Sequence, residues 1–312
     1  MKFCYILVLI GIVSCSKNSS DLTVLNFEKD LIPEGIAIDP TTETVFLNSL
    51  RKNKIVKSKL DGTKPTNFIE PNQFNYLSGF GMTIKGDTLF ALGNSLTRKN
   101  NRSILLLLNL NTGNLIDSYS INNSNFIYLN DIAISSKSDI YITDSESNKV
   151  YAITTSTKEL EIYLESDEIA HSNGIAISDN DKYLYLASWQ NGIRIVEIES
   201  KKILNESESD YGGIDGMKYF NKSLIGIVNS RRDSSKNGVY RFFLDDNLTS
   251  IIQKKKLIEF GEQYKIPTTF DIVDGYLYFV INTQLDNFDQ ESNEIIDTNK
   301  LESYLLMKKK IE

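Results

Sequence analysis

The chain has 312 residues, of which 41% are hydrophobic and 24% are charged, and its formal net charge at pH 7 is −7. This composition is typical of a folded protein with enough apolar material for a core. Lysine and arginine form no basic stripe with interleaved aromatic residues, so we expect no binding to nucleic acid.

The first 15 residues have the features of a bacterial lipoprotein signal. Lys2 precedes an apolar run from Phe3 to Val13 that is too short to cross a bilayer, and a small residue precedes Cys15. Cleavage before Cys15 would leave this cysteine as the new amino terminus, ready for acylation. We expect a signal peptide over residues 1–14, a lipidated Cys15 with a tether over residues 15–21, and one domain over residues 22–312. An ordinary secretory peptide that ends near a cysteine is the alternative.

Lipid attachment would place the protein in a bacterial cell envelope. We expect the outer membrane, on its periplasmic or surface side, with the lipid anchor as the only contact with the membrane. Cys4 would leave with the signal peptide and Cys15 would carry the lipid. The domain would then contain no cysteine, which excludes disulfides and thiol chemistry.

The segment Leu22 to Phe27 alternates apolar and polar residues and has no hairpin partner nearby. We expect it to close a ring as the outermost strand of the last blade, beside a strand over Glu302 to Lys309, because closure removes a free sheet edge. The unbroken apolar run Ile104 to Leu110 predicts a buried strand. No segment has a sustained 3.6-residue periodicity, so we expect little helix.

A pattern of two apolar runs separated by a turn recurs six times, and its clearest copy is Leu129 to Ser145. The copies open at Glu34, Phe80, Asn130, Asn173, Asp215 and Thr269. They close at Asn48, Asn94, Asp144, Ser188, Asn229 and Asn282. Successive copies open 42 to 54 residues apart. Several short strands at such a period predict an all-β, six-bladed β-propeller.

The six opening residues would meet at the mouth of the central channel, because the innermost strand of each propeller blade lines the axis. They include two carboxylates, Glu34 and Asp215, two amides, Asn130 and Asn173, and the hydroxyl of Thr269. Oxygen ligands suit Ca²⁺, whereas Zn²⁺ prefers nitrogen and sulfur ligands. Two buried carboxylates without a cation would repel each other and raise their pKa values. The alternative is a wet channel lined by polar residues without a metal.

The segments PEGIAID, LNDIAIS, NGIAISDNDKYLYLA and IDGMK resemble the six-bladed superfamily of gluconolactonases, regucalcin and the paraoxonases. The resemblance implies a divalent metal, usually Ca²⁺, at the channel mouth and the hydrolysis of lactones or related esters. By position, it assigns Glu34, Asn173 and Asp215 as metal ligands and Asn130 as a residue that binds metal or substrate. Asp131 follows Asn130 as in the paraoxonases.

The substrate side of the site departs from these families. Tyr128 stands where gluconolactonase-type members have an arginine, and Phe80 stands where paraoxonases have a histidine. Trp189 begins a loop on the same face and could wall a ligand pocket, although packing between blades is the alternative. Together with Asn130, these residues are candidates for binding a small-molecule substrate.

Three residues are candidates for the general base that deprotonates water: Asp215, Asp131 and His171. His171 is the single histidine and lies two residues before Asn173. A neutral imidazole at this place could accept a proton near neutral pH. A loop histidine that makes one hydrogen bond is the alternative.

Two functions are compatible with these residues. The first is a Ca²⁺-dependent hydrolase of lactone or ester type, in which the metal would polarise the carbonyl and stabilise the oxyanion. The second is a non-catalytic, lipid-anchored propeller that binds a small molecule or a protein, with the metal structural or absent. In both cases we expect a monomer.

Replacing Cys15 by alanine should release the protein from membranes, because the lipid is attached through the thiol. The measurement is the distribution of the protein between membrane and soluble fractions after expression in a bacterium that processes lipoproteins. Cys4→Ala leaves the acylation site intact and should remain with the membrane. Equal membrane recovery of Cys15→Ala and wild type would contradict the lipid anchor.

Overall fold

The computed structural model of the chain describes residues 21–97, 101–122, 126–230 and 233–311. The predicted signal peptide, Cys15 and all of the tether except Asp21 lie outside the described residues. Within the described residues, the helical segments are short 3₁₀ turns at Gln73–Asn75, Asp167–Ile169, Ser209–Tyr211, Ser234–Lys236, Leu285–Asn287 and Thr298–Lys300. No helix among these residues is long and apolar enough to cross a membrane. The expectation of little helix is confirmed for this part of the chain.

Six small antiparallel sheets form the blades of a propeller. Strand β1 (Leu22–Leu25) belongs to the last blade. Blade 1 comprises β2 (Ile36–Asp39), β3 (Thr44–Asn48), β4 (Ile55–Lys59) and β5 (Thr66–Ile69). Blade 2 comprises β6 (Ser78–Lys85), β7 (Thr88–Asn94), β8 (Arg102–Asn109) and β9 (Leu115–Asn122). Blade 3 comprises β10 (Leu129–Ile134), β11 (Ile140–Asp144), β12 (Lys149–Ile153) and β13 (Glu161–Glu165).

The second half of the chain forms the other three blades. Blade 4 comprises β14 (Ser172–Ile177), β15 (Tyr183–Ser188) and β16 (Gly192–Glu197). Blade 5 comprises β17 (Ile214–Tyr219), β18 (Ser223–Val228), β19 (Gly238–Leu244) and β20 (Ile251–Glu259). Blade 6 contains β21 (Asp271–Val273), β22 (Tyr276–Val280) and β25 (Tyr304–Lys310), and a separate hairpin of β23 (Phe288–Asp289) and β24 (Glu294–Ile295) lies within its long loop. The predicted six-bladed β-propeller is confirmed.

The first strand of each blade lies at the centre of the ring. Strands β2, β6, β10, β14 and β17 contact one another in succession, and β21 contacts β2. The hydrophobic core lies between neighbouring sheets; for example, Phe90 and Leu105 of blade 2 pack in one cluster with Ile142 and Tyr151 of blade 3. The predicted strand over Ile104 to Leu110 is β8, the third strand of blade 2.

The N-terminal strand closes the ring as predicted. Strand β1 pairs antiparallel with β25, with Leu22 opposite Met307 and Leu25 opposite Tyr304. The buried hydroxyl of Tyr304 donates a hydrogen bond to the Lys29 carbonyl (2.7 Å) and accepts one from the Ile32 amide (3.0 Å). The side chain of Tyr304 therefore ties the segment after β1 to the last blade.

Buried side-chain amides at the ends of second strands join neighbouring blades. The Asn48 side chain accepts from the Gly35 amide (2.7 Å) and donates to the Phe80 carbonyl of blade 2. Asn94 bonds both the carbonyl and the amide of Leu129 in blade 3, each at 2.9 Å. These two residues close their copies of the sequence repeat, so the closing position of the repeat is the one that contacts the next blade.

Replacing Tyr304 by phenylalanine should destabilise the ring by about 1–3 kcal/mol, because the Ile32 amide and the Lys29 carbonyl would lose a buried partner. The measurement is the melting temperature and the free energy of unfolding in urea. Tyr276→Phe removes a hydroxyl from a partly exposed residue of the same blade and serves as the control. Equal stability of the two variants would contradict the role of Tyr304 in closure.

Candidate functional site

A β-bulge interrupts the first strand of four blades at the same place. The pairing register shifts across Phe80-Gly81 in β6, Asn130-Asp131 in β10, Asn173-Gly174 in β14 and Asp215-Gly216 in β17. A bulge leaves residues unpaired and re-aims their side chains. In each of these blades, at least one of the two residues at the bulge thereby faces the axis.

A small polar cavity lies where these strands meet, and we call it the ring cavity. It is lined by Glu34, Gly81, Asn130, Asp131, Asn173, Asp215, Gly216 and Thr269. Its volume of about 10 Å³ has room for one water-sized occupant. The lining polar side chains other than Asp131 are half-buried and remain partly accessible to solvent. Five of the six opening residues of the repeat therefore converge, and in blade 2 Gly81 takes the place expected for Phe80.

Glu34 is the least satisfied group of the ring cavity. Its Oε2 is fully buried and has no hydrogen-bond partner among the described residues. Burial, and then the nearby carboxylates Asp215 and Asp131, raise the pKa of Glu34 well above its usual range, against a smaller opposing effect of the Thr268 hydroxyl. Without a cation, the site therefore disfavours the ionised form of Glu34.

The other polar groups of the ring are held by side-chain amides. Asp215 Oδ1 accepts from Asn173 Nδ2 (2.7 Å), and Asp215 Oδ2 accepts from Asn229 Nδ2 (3.1 Å). Asn130 Nδ2 donates to Ser145 Oγ (3.0 Å). Rotation of the Asn130 or Asn173 side-chain amide by 180° would place its oxygen where its nitrogen now lies. The roles of Asn229 and Ser145 were not predicted from the sequence, although Asn229 closes its copy of the repeat and Ser145 directly follows the closing residue Asp144.

Asp131 forms the floor of the ring cavity. It is buried, and its Oδ1 accepts from the Ile132 amide (2.9 Å) and from Lys218 Nζ (3.3 Å), while its Oδ2 accepts from the Ile175 amide (3.3 Å). The ion pair with Lys218 was not predicted. Lys218 is the last residue of IDGMK and follows Asp215 by three positions, so the quoted motif contained the signal.

A second cavity, of about 410 Å³, lies further along the inner strands. Its lining includes Lys218, Lys85 and Asp271 between isoleucine side chains. Burial raises the pKa of Asp271, although the Ile38 amide (2.8 Å) and Lys218 act in the other direction. The ion pair of Asp131 with Lys218 therefore joins a residue of the ring cavity to a residue of the second cavity.

The residues predicted to bind substrate lie beside the ring cavity and do not line it. Phe80 is buried and packs against Tyr128 with ring centroids 5.0 Å apart. The Tyr128 hydroxyl donates to the Leu96 carbonyl (3.0 Å). Trp189 is 40% exposed. Phe80 and Tyr128 thus form an aromatic wall next to Asn130, and Trp189 lies in a neighbouring blade.

His171 is linked to the ring through Ser145. Its Nδ1 lies 3.0 Å from the Ser145 carbonyl, and Ser145 Oγ accepts from Asn130. A hydrogen bond to a carbonyl requires the proton on Nδ1, which leaves Nε2 as an acceptor. His171 is exposed and does not line the ring cavity. Its backbone carbonyl accepts from the Trp189 amide (3.1 Å), so the two residues are positioned together.

The polar side chains of the ring cavity are of the kind that a hard divalent cation accepts. In the described part of the chain, no three His, Cys, Asp or Glu side chains cluster closely enough to hold a metal by themselves. The donor set is mixed, with the carboxyl groups of Glu34, Asp131 and Asp215, two amides and the Thr269 hydroxyl around a volume of about 10 Å³. Ca²⁺ accepts carboxylate and amide oxygens, and the buried Glu34 Oε2 without a partner would gain one.

Replacing Glu34 by glutamine should stabilise the metal-free protein at pH 7 by on the order of 1 kcal/mol. Because the pKa of Glu34 is raised in the folded state, its contribution to stability falls as pH rises above the usual value of 4.5. The glutamine side chain carries no charge, so the variant does not lose this stability as the pH rises. The measurement is the melting temperature in EDTA at pH 7 and pH 4.

At pH 4 most of the difference between Glu34→Gln and wild type should vanish, because the carboxyl is then largely protonated in both states. Glu199→Gln, at an exposed position, is the control and should change stability little at either pH. Equal destabilisation by Glu34→Gln at both pH values would contradict the raised pKa.

Comparison with known proteins shows the fold. No protein-family model and no curated protein matches the sequence. Similar solved structures include the PQQ-bound aldose sugar dehydrogenase from Streptomyces coelicolor, with 13% identity, 92% of this chain and 96% of that chain covered, and a TM-score of 0.63. A gluconolactonase from Xanthomonas campestris has 13% identity, coverage of 93% and 88%, and a TM-score of 0.59. The calcium-binding protein regucalcin from Agrobacterium tumefaciens has 14% identity, coverage of 93% and 94%, and a TM-score of 0.59. The chain is thus a six-bladed propeller similar in fold to gluconolactonase and regucalcin.

Proposed function

We propose that the protein is a Ca²⁺-dependent hydrolase of lactone or ester type, which acts on a small molecule at the ring cavity. The single observation that carries this proposal is the convergence of Glu34, Asp215, Asn130 and Asn173 on a cavity of one-cation size, in which Glu34 Oε2 lacks a partner. The fold similarity to a gluconolactonase and to a calcium-binding regucalcin agrees with it.

Glu34, Asn130, Asn173 and Asp215 would hold the cation. When bound, a divalent cation supplies a Lewis acid that polarises the carbonyl of the substrate and stabilises the oxyanion. Asn229 keeps Asp215 in place through its hydrogen bond to Oδ2 (3.1 Å). The two carboxylates balance the charge of a divalent cation, and the amides complete the donor set without adding repulsion.

Of the three candidate bases, His171 is the one that the contacts favour. Asp131 is buried, and both of its oxygens accept hydrogen bonds from groups of the channel wall. Asp215 is assigned to the metal. His171 is exposed, and the Ser145 carbonyl at 3.0 Å holds its proton on Nδ1, so that Nε2 can take a proton from water.

The surface around His171 and Asn130 would receive the substrate. Tyr128 provides a partly exposed aromatic ring on one side, packed at an angle on the buried Phe80, and Trp189 is exposed near His171. Aromatic side chains of this kind contact the apolar part of a small ligand. A lactone or ester with a hydrophobic substituent fits such surroundings.

A non-catalytic binding propeller is the second candidate. One observation favours it, since Asp215 and Asn130 already have partners in Asn173, Asn229 and Ser145 without a cation. In this case the polar ring would be structural, and the face with Trp189 would bind a small molecule or a protein. Lipid anchoring through Cys15 in the bacterial envelope is proposed for both candidates.

Calcium should raise the melting temperature of the protein, and EDTA should lower it, because a ligand of the folded state stabilises by about 2.7 kcal/mol at a hundredfold excess over its dissociation constant. Asp215→Asn should lose most of the response, because one ligand charge is removed while the shape is kept. Calorimetric titration with Ca²⁺ and hydrolysis of a panel of lactones and aryl esters, each with and without Ca²⁺, complete the test.

Asp210→Asn, at an exposed position in the turn before β17, is the matched control and should respond to Ca²⁺ like the wild type. A wild-type melting temperature that is indifferent to both EDTA and Ca²⁺ would overturn the metal site. Calcium binding without Ca²⁺-dependent hydrolysis of any member of the panel would favour the binding propeller.

A further inference from the structure

A basic groove lies on the rim of the propeller between blades 5 and 6. Lys255 and Lys256 of β20 and Lys309 and Lys310 of β25 line a cavity of about 320 Å³ there, and among the described residues no Asp or Glu side chain lines it. Aliphatic residues of both blades, among them Leu257, form its apolar floor. Four lysines in one groove are notable in a chain with a net charge of −7.

The lysines of the basic groove have few partners. Lys255 and Lys310 are exposed and form no ion pair within the described part of the chain. Lys309 pairs with Asp21, 3.5 Å from its Oδ2. Lys256 Nζ donates to the Ser235 carbonyl (2.7 Å) and lies within electrostatic reach of the exposed Asp233, with which it forms no ion pair among the described residues. The groove therefore presents a concentrated positive charge to solvent.

Two more lysines extend this charge along the same strands. Lys254 precedes Lys255 and lies 4.7 Å from the ring centroid of Tyr240, and Lys308 precedes Lys309 and lies 4.5 Å from that of Tyr276. Contact with an aromatic ring fixes each ammonium near the surface without neutralising it. Six lysines thus lie on β20, the outermost strand of blade 5, and on the part of β25 that follows its pairing with β1 in blade 6.

The start of the folded domain lies at the same edge. The Asp21 carbonyl accepts from the Lys308 amide (2.7 Å), so the chain reaches the propeller directly beside the groove. Six residue steps separate Asp21 from Cys15, and an extended chain spans at most about 3.5 Å per residue. A bilayer attached at Cys15 would therefore lie within roughly 20 Å of Asp21.

Exposed aliphatic side chains accompany the charge. Ile252 on β20 is 68% exposed, and Val24 on β1, the strand that follows Asp21, is 48% exposed. Lysines beside exposed aliphatic residues are the combination that binds at the interface of an anionic bilayer. A free phosphate would need neither the aliphatic residues nor the position at the start of the domain.

We propose that the basic groove binds the anionic headgroups of a phospholipid bilayer and sets the rim of blades 5 and 6 against the membrane. The groove adds a second, electrostatic contact to the expected lipid anchor. Because the outer strands form the rim of the propeller, this contact leaves the face around His171 and Trp189 open. The proposal is independent of metal binding and of hydrolysis.

The test compares binding of the full chain to two kinds of vesicle, phosphatidylcholine alone and phosphatidylcholine mixed with phosphatidylglycerol in equal parts. All proteins carry Cys15→Ala, so that no lipid is attached and any effect of the leader is common to all. The readout is the ratio of the two affinities, measured by co-sedimentation. The proposal predicts a strong preference of the wild-type groove for anionic vesicles that weakens as salt is raised.

The triple variant with Lys255, Lys309 and Lys310 each changed to Gln should lose about 100-fold of this preference, at about fivefold for each lysine. The matched control changes three exposed lysines of blades 3 and 4, Lys137, Lys182 and Lys202, to Gln. It loses the same net charge and should keep the preference within about threefold.

Melting temperatures of the two triple variants establish that both remain folded. An equal loss in both variants would show a dependence on net charge alone and would overturn the groove as the site. Equal affinity of the wild type for both kinds of vesicle would also overturn it. None of these outcomes changes the expected response to Ca²⁺, so the membrane contact and the calcium site are tested separately.

Discussion

The arrangement at the axis depends on the side-chain amides that join one blade to the next, of which Asn48 and Asn94 are fully buried and Asn229 is half-buried. The Asn48 side chain binds the backbone of blades 1 and 2 at once, Asn94 binds the backbone of blade 3, and Asn229 donates to the Pro267 carbonyl ahead of blade 6 (2.5 Å). A buried backbone group that loses its partner costs about 1–3 kcal/mol. These amides therefore fix the distance between neighbouring inner strands, and with it the size of the ring cavity.

The inner strands approach so closely that a side chain is excluded at the second position of several repeats. A Cβ atom on Gly174 would lie 2.6 Å from the Asp215 carbonyl oxygen, and one on Gly81 would lie 2.9 Å from the Cα atom of Asp131. Blade 3 departs from this pattern, because Asp131 stands where blades 2 and 4 have glycine. The glycine of blade 2 thus makes room for the one carboxylate that reaches the channel floor.

The fold and the convergence of the ring could be predicted because both follow from a repeat. Because the opening residues recur once in each repeat, Glu34, Asn173 and Asp215 were placed at equivalent positions of blades 1, 4 and 5, and the ring brings equivalent positions together. Phe80 occupies the same position, but its ring packs with Tyr128, since a phenyl group gains more from burial than from a polar channel. Lys218 of blade 5 and Asp131 of blade 3 are 87 residues apart in sequence, so the spacing within one repeat could not predict their contact.

The ring cavity and the second cavity differ in charge. Lys218 of the second cavity lies 3.3 Å from Asp131, and its charge opposes the rise in the pKa of Asp271 that burial causes. Among the described residues, no lysine or arginine lines the ring cavity, whose carboxyl groups are Glu34, Asp215 and Asp131. Of these three, Asp131 is the one that pairs with Lys218. Amides can satisfy the hydrogen bonds of Asp215, but they leave Glu34 Oε2 without a partner and neutralise neither group. In the proposed metal site, where Glu34 and Asp215 would both be ionised, a monovalent cation would leave one of these charges uncompensated, whereas a divalent cation would balance both.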